Sequence, residues 1–189
     1  MSNDPLSEAS SRISSLRNLL ESRAQVEEDA VPSEAVLRFM RRAIELSRTH
    51  MQAGDGGPFG AVVVRKGEVV GEGWNRVTST CDPTAHAEIV AIREACRALD
   101  RFDLRGCEIY TSCEPCPMCL AAIYWARLDR MWFANTREDA AGIAFDDAWL
   151  YREVALPIES RALSSAEILR EEALVAFREW EAKGDRVPY

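Results

Sequence analysis

His86 and Glu88 share one short block, Thr84-Ala85-His86-Ala87-Glu88, and Cys116 and Cys119 share another, Ser112-Cys113-Glu114-Pro115-Cys116-Pro117-Met118-Cys119. One imidazole and two thiols are ligands that zinc accepts tetrahedrally, and three protein ligands leave the fourth position open to water. If His86, Cys116 and Cys119 serve one metal, the fold must bring these two segments together. Both stand where a helix is expected to begin, and the partial positive charge of a helix start favours thiolate over thiol. Two thiolates and a neutral imidazole nearly neutralise Zn²⁺, which still lowers the pKa of a bound water to roughly 7. Glu88, two residues past the imidazole, is then free to take that proton and return it to a reacting molecule. Such a shuttle is worth about 10²–10⁴-fold in rate.

A structural zinc site fills all four positions. Cys113 with Cys116 and His86 is a competing ligand set, so the pairing stays open at this level. It is the weaker set, because Cys113 closes an expected strand while Cys116 and Cys119 lie one turn apart at a helix start. His50, at the end of a helix with no motif around it, reads as an ordinary surface histidine.

Charge narrows the partners. The chain has 189 residues, 23 of them basic and 31 acidic, for a net charge of −8. Nucleic acid and anionic membranes are poor partners for so acidic a protein, and the single basic pair in the first helical stretch is Arg41-Arg42. No stretch approaches the ~18 uninterrupted apolar residues of a membrane span, and the acidic, Ser-rich N-terminus is unlike a signal peptide. Three of the six cysteines crowd into positions 113–119, which suits metal binding in a reducing cytoplasm better than a disulfide framework. Cys96 and Cys107 read as small core residues.

Residues 1–32 form an N-terminal extension, either a disordered tail or a short helix with Ile13, Leu16, Leu20 and Ala24 on one face. Ser33 caps a helix ending near Gly54 whose buried face is expected at Val36, Leu37, Met40, Ala43, Ile44 and Ser47. The apolar run Phe59–Val64 and the segment Val69–Asn75 read as strands joined by a hairpin turn at Arg65-Lys66-Gly67-Glu68. Asp82-Pro83-Thr84 is expected to open a helix through Ala98. Cys107–Ser112 is a strand, Pro115-Cys116-Pro117 starts a further helix, and Arg130–Ala134 is another strand. From Asp146 the chain reads as helical, interrupted at Pro157. Such alternation predicts an α/β fold with a mixed sheet covered by helices on both faces.

The H-x-E…P-C-x-x-C pattern is the signature of zinc nucleobase deaminases. The blocks Gly56-Gly57-Pro58-Phe59-Gly60-Ala61, Asp82–Glu88, Thr111–Cys119, Ala121–Arg127 and Phe145-Asp146-Asp147 together resemble bacterial guanine deaminases of the cytidine-deaminase fold. The resemblance covers roughly residues 34–189, within a domain read as 33–189. It implies a three-layer α/β/α sandwich with a mixed five-stranded sheet. It also implies a homodimer in which residues 157–189 act as a lid or are exchanged between subunits.

It implies site roles as well. Asn75 hydrogen-bonds the purine and Phe59 packs on its ring. The Cys116 N–H and the region around Ala87 orient substrate, Asp147 contacts the base edge and helps to move protons, and Tyr189 of the partner chain closes the site. Ala144 stands where these relatives commonly carry Gly before Phe-Asp-Asp. Each role has a local alternative: Asn75 as a turn former, Asp146-Asp147 as a helix cap, Phe59 and Trp125 as core, Tyr189 as a frayed end. The implied reaction is zinc-dependent attack of water on C2 of guanine, giving xanthine and ammonia. Deamination of guanosine, cytosine or tRNA adenosine are the enzymatic alternatives, and a noncatalytic zinc-stabilised interaction module is the non-enzymatic one.

Overall fold

The apolar run after Pro58 forms β1 (Gly60–Arg65) and doubles back as β2 (Glu68–Trp74). The turn residues Lys66 and Gly67 both have positive φ, 52° and 80°, the geometry whose twist matches that of the flanking strands. The fold is that of a computed structural model describing residues 32–187. The expectations for residues 1–31 and for Tyr189 lie outside that range.

Before this hairpin lies α1 (Glu34–Ala53). After it come α2 (Val77–Thr80), α3 (Ala87–Leu99), β3 (Cys107–Cys113), α4 (Pro117–Trp125) and β4 (Arg130–Asn135). The chain ends in α5 (Arg137–Gly142), α6 (Asp147–Ala155), a 3₁₀ turn at Ile158–Ser160 and α7 (Arg170–Ala182). The sheet order is β2-β1-β3-β4, antiparallel except for the parallel pair β3–β4.

Successive residues of β1 face opposite layers, as strand geometry requires. Val62 and Val64 pack with Tyr110 against Phe39, Ala43 and Leu46 of α1. Ala61 and Val63 pack with Ile109 against Ala87, Ala91 and Ala95 of α3 and Ile123 of α4. The three-layer α/β/α arrangement is thus present. The sheet differs from the family expectation, since the described residues form four strands and not five. Beyond Asn135, Thr136 and Asp139 close a capping box that starts α5, so the chain leaves the sheet. Residues 161–169 are in neither helix nor strand, and their sequence lacks the alternating β-branched run that suits a strand.

Two local expectations also move. The buried face of α1 centres on Phe39, Ala43, Leu46 and Ser47, and Ile44 is exposed. His50 is half-buried, not a plain surface residue: it stacks on Trp74 at 3.6 Å, and its Nδ1 lies 2.6 Å from Asp55 Oδ2. The end of α1 rests on β2 there.

One strand position sets where α3 can lie. A Cβ on Gly73 would stand 2.1 Å from the Ala87 carbonyl oxygen and 2.5 Å from the Ala91 N. Gly73 opposite the alanines of α3 therefore lets helix and sheet approach backbone to backbone. That contact places the first turn of α3, and with it His86 and Glu88, over the strand ends.

Candidate active site

His86 and Cys116 are the N-cap residues of α3 and α4, both in extended backbone and neither using its side chain as a cap. Polar side chains usually satisfy the orphan N–H groups at such positions. Here imidazole and thiol turn instead toward each other across the two helix starts. The structure corrects the expected start of α3. Thr84 donates from both N–H and Oγ1 to Asp82 Oδ1, at 2.8 and 2.7 Å. This side-chain turn holds the chain out of helix until His86.

The ligand atoms of His86, Cys116 and Cys119 all lie within 4.8 Å of one another, with Cys116 Sγ 3.6 Å from His86 Nδ1. Tetrahedral zinc with S and N ligands separates its donors by about 3.5–3.8 Å, so this donor set fits zinc, with His86 presenting Nδ1. Cys113 lies outside this cluster: its buried thiol donates to the Thr136 carbonyl at 3.4 Å, and burial pushes it up to about 12. Cys116 is instead brought down to about 4, first by the hydrogen bond with the Cys119 thiol and next by His86. The same shared proton, together with burial, drives Cys119 upward.

Glu88, one residue into α3, is buried beside this cluster, and burial pushes its carboxyl up to about 7. A carboxyl near neutrality can both accept and return a proton at physiological pH.

Asn75 follows β2 and is buried. Its Oδ1 accepts the N–H of Gly57 at 3.1 Å and of Val77 at 3.3 Å. With the oxygen taken by two backbone donors, the amide is oriented and Nδ2 is left as the group for a ligand. Gly56 permits this packing, since a Cβ there would meet the Asn75 carbonyl oxygen at 2.2 Å. Phe59 is half-buried, in edge-to-face contact with Phe145 at 4.8 Å and 89°. Ala87 is buried at the first position of α3.

Asp147 begins α6, half-buried; burial raises its carboxyl, and so does the charge of Cys116. Its neighbour Asp146 occupies the N-cap without a capping hydrogen bond, so the cap alternative fails for this pair. Ala144, just before Phe145, has φ 70°. Trp125 is 61% exposed on α4 and is neither core nor part of the cluster. Val187, two residues before Tyr189, lines an apolar groove of about 620 Å³ with Ile89, Ile92, Phe102, Ala122 and Trp125. None of the expected site residues line that groove.

Sequence reasoning missed a set of supporting side chains. Arg137 pairs with Glu114, donating from Nε to Oε2 at 3.0 Å, and lies 4.0 Å above the Tyr151 ring. The available signal was the spacing of Asp147 and Tyr151, one helical turn apart.

The family profile described as "cytidine and deoxycytidylate deaminase zinc-binding region" matches residues 33–135. The chain is similar to a guanine deaminase of Bacillus subtilis, 46% identical over 151 residues, covering 80% of this chain and 97% of the relative. The X-ray structure of a Bacillus subtilis guanine deaminase superposes with a TM-score of 0.78 at 45% identity, over 80% of this chain and 97% of that one. A solved Nitrosomonas europaea guanine deaminase gives 0.56 at 30% identity, over 86% and 92%. A tRNA-specific adenosine deaminase of Aquifex aeolicus is 37% identical over 105 residues, 56% of this chain and 69% of the relative.

Proposed function

Because the chain belongs to the cytidine and deoxycytidylate deaminase family, we propose that it is a zinc-dependent guanine deaminase, hydrolysing guanine to xanthine and ammonia. One observation carries this reading. His86, Cys116 and Cys119 converge beside a buried Glu88 in a chain that matches a guanine deaminase over nearly that relative's whole length. The match to the tRNA-specific enzyme is shorter, and the net charge of −8 opposes a polyanion.

His86, Cys116 and Cys119 would hold the zinc, which when bound supplies the acidity that makes water a nucleophile at neutral pH. Glu88 removes the proton from the attacking water and passes it to N3 of the base, the unprotonated ring nitrogen next to C2. It then takes the proton of the new C2 hydroxyl and delivers it to the amine, so that C2=O forms as the C2–N bond breaks and ammonia departs. Asn75 Nδ2 donates to an acceptor on the purine edge, and Phe59, backed by Phe145, packs on the ring. The Cys116 N–H and the backbone around Ala87 orient the base, and Asp147 sits at its edge to accept or return a proton.

The same reading places the enzyme in the cytoplasm as a homodimer, with residues 157–189 exchanged and Tyr189 closing the partner's site. Supporting the dimer are the large exposed apolar residues of the C-terminal region, Leu163, Ile168 and Phe177 among them. Supporting the compartment are the free thiols among the described residues, four of them buried. No helix among the described residues is long and apolar enough to cross a membrane.

The test is ammonia release from guanine, guanosine, cytosine and adenine, and from tRNA at physiological salt. Guanine is expected to lead in kcat/KM by orders of magnitude. Turnover confined to tRNA adenosine would overturn the reading, and turnover of none would leave a zinc-stabilised module.

A further inference from the structure

We propose that Tyr151 is a positioning residue for this deamination, holding Asp147 and the Cys116 N–H in register through one hydrogen bond to the Pro115 carbonyl. The inference rests on the guanine deaminase reading and adds a residue that neither the motifs nor the metal cluster point to.

The Tyr151 hydroxyl donates to the Pro115 carbonyl oxygen at 2.7 Å. Pro115 is fully buried and immediately precedes Cys116. Its carbonyl and the Cys116 N–H belong to one planar trans peptide, so they point in opposite directions. A donor fixed on the oxygen sets the direction of the N–H and polarises it as a donor. On the other side of the tie, Tyr151 lies four residues after Asp147 on α6, one turn along the same face. The hydrogen bond therefore locks the helix carrying Asp147 to the loop carrying Cys116.

The tyrosine is itself held. Arg137 stands over its ring at 4.0 Å, and that guanidinium is anchored on Glu114, the residue before Pro115. The Glu114 carboxylate also accepts the Arg137 N–H at 3.1 Å, and the Glu114 N–H reaches the Asn135 carbonyl at 2.8 Å. The metal loop is thus fastened to the end of β4 on one side and to α6 on the other. Only the Tyr151 hydroxyl makes the second fastening in this set, and α6 contributes little else of its own, having no fully buried residue.

Tyr151→Phe isolates the hydroxyl, because it keeps the ring under Arg137. In zinc-loaded protein the variant is expected to keep wild-type zinc content and to melt within about 4 °C of wild type. Its kcat on guanine should fall on the order of 10-fold, with KM rising less than about threefold, and xanthine should bind more weakly by a factor close to the KM change. In an Asp147→Asn background the further loss on adding Tyr151→Phe should shrink to about threefold or less, since coupled residues are not additive.

Wild-type kinetics for Tyr151→Phe would overturn the proposal, as would the full loss repeated in the Asp147→Asn background. Loss of zinc or a larger fall in melting temperature would also overturn it, making Tyr151 a structural pin. The two readings separate on the wild-type control. If wild type releases no ammonia from guanine, the substrate assignment fails, and the Tyr151 comparison is made on the base that wild type does turn over.

Discussion

Ala61, Val63, Ala91 and Ile109 are 0% exposed, whereas Leu163, Ile168 and Phe177 are 77, 78 and 73% exposed. The first group lines the interface between sheet and α3, where every apolar side chain has a partner within the chain. The second belongs to the helical region after β4, and α6 and α7 have no fully buried residue. The half that holds the His86–Cys116–Cys119 cluster thus carries a core of its own. The C-terminal region keeps large apolar surface in water, yet it supplies Phe145, Asp147 and Tyr151 to the neighbourhood of the metal cluster. The buried core is accordingly drawn from the first part of the chain, whereas the surroundings of the His86–Cys116–Cys119 cluster draw on both.

The largest test of that division lies inside the first half. Glu88→Ala should lower kcat by about 10²–10⁴-fold while zinc content and melting temperature stay near wild type. Cys119→Ala should lose zinc along with activity. Zinc loss from Glu88→Ala, read by metal analysis, would make Glu88 a ligand and merge the two roles.

Next in size is a matched pair of truncations. Ile109→Ala opens a cavity in the core and should cost about 2–5 kcal/mol in urea unfolding. Phe177→Ala, measured in dilute protein, should stay within about 0.5 kcal/mol. If the chain dimerises through its C-terminal region, the unfolding midpoint should rise with protein concentration, and Phe177→Ala should weaken that rise. A concentration-independent midpoint in both proteins would break the dimer proposal and leave the region exposed.

A smaller effect is expected at the junction of the two regions. Ala144 holds φ at 70°, a left-handed conformation that strains an L side chain. Ala144→Gly should raise the unfolding free energy by roughly 0.5–1 kcal/mol, the relieved strain being partly offset by the flexibility of glycine in the unfolded chain. Destabilisation instead would show that the methyl group packs usefully against the Phe145 segment.

The smallest effect is electrostatic. Arg42 of α1 grips Glu72 of β2 through two bonds of 2.7 Å and holds the carboxyl below its ordinary value. A depressed carboxyl stabilises the fold above its unfolded value, near pH 4.3, and loses that contribution as pH falls through the folded value. The difference between wild type and Glu72→Gln should therefore be no more than about 1 kcal/mol and level between about pH 6 and 8. It should shrink below about pH 4. A difference that grew on acidification would reverse the sign assigned to the pair.

Much of the first half was legible in the sequence because its signals are local. Pro58, Gly67 and Pro117 punctuate the chain, and β-branched runs mark β1 and β3. Ligand chemistry and spacing favour His86, Cys116 and Cys119 over the set with Cys113. The errors came where a side chain competed with the backbone. The tie between Asp82 and Thr84 delayed α3 to Ala87, and the stacking of His50 on Trp74 could not be seen one residue at a time. In the C-terminal region helical periodicity predicted helices but not their packing, and the family's fifth strand has no counterpart among the described residues.

By itself the sequence narrowed the metal donors to His86 and two of Cys113, Cys116 and Cys119, and determined most of the order of helices and strands and Glu88 as the carboxylate beside the imidazole. These depend on residue type and near-neighbour spacing. Only the tertiary structure decided that Cys113 turns to the Thr136 carbonyl and away from the cluster. It also decided that the Asn75 oxygen accepts from Gly57 and Val77, which orients the amide, and that Tyr151 reaches Pro115. Apart from the Asn75–Val77 bond, each of these is a contact between segments 18 to 36 residues apart. Such contacts exist only once Gly73 has let α3 settle on the sheet and the two helix starts face each other.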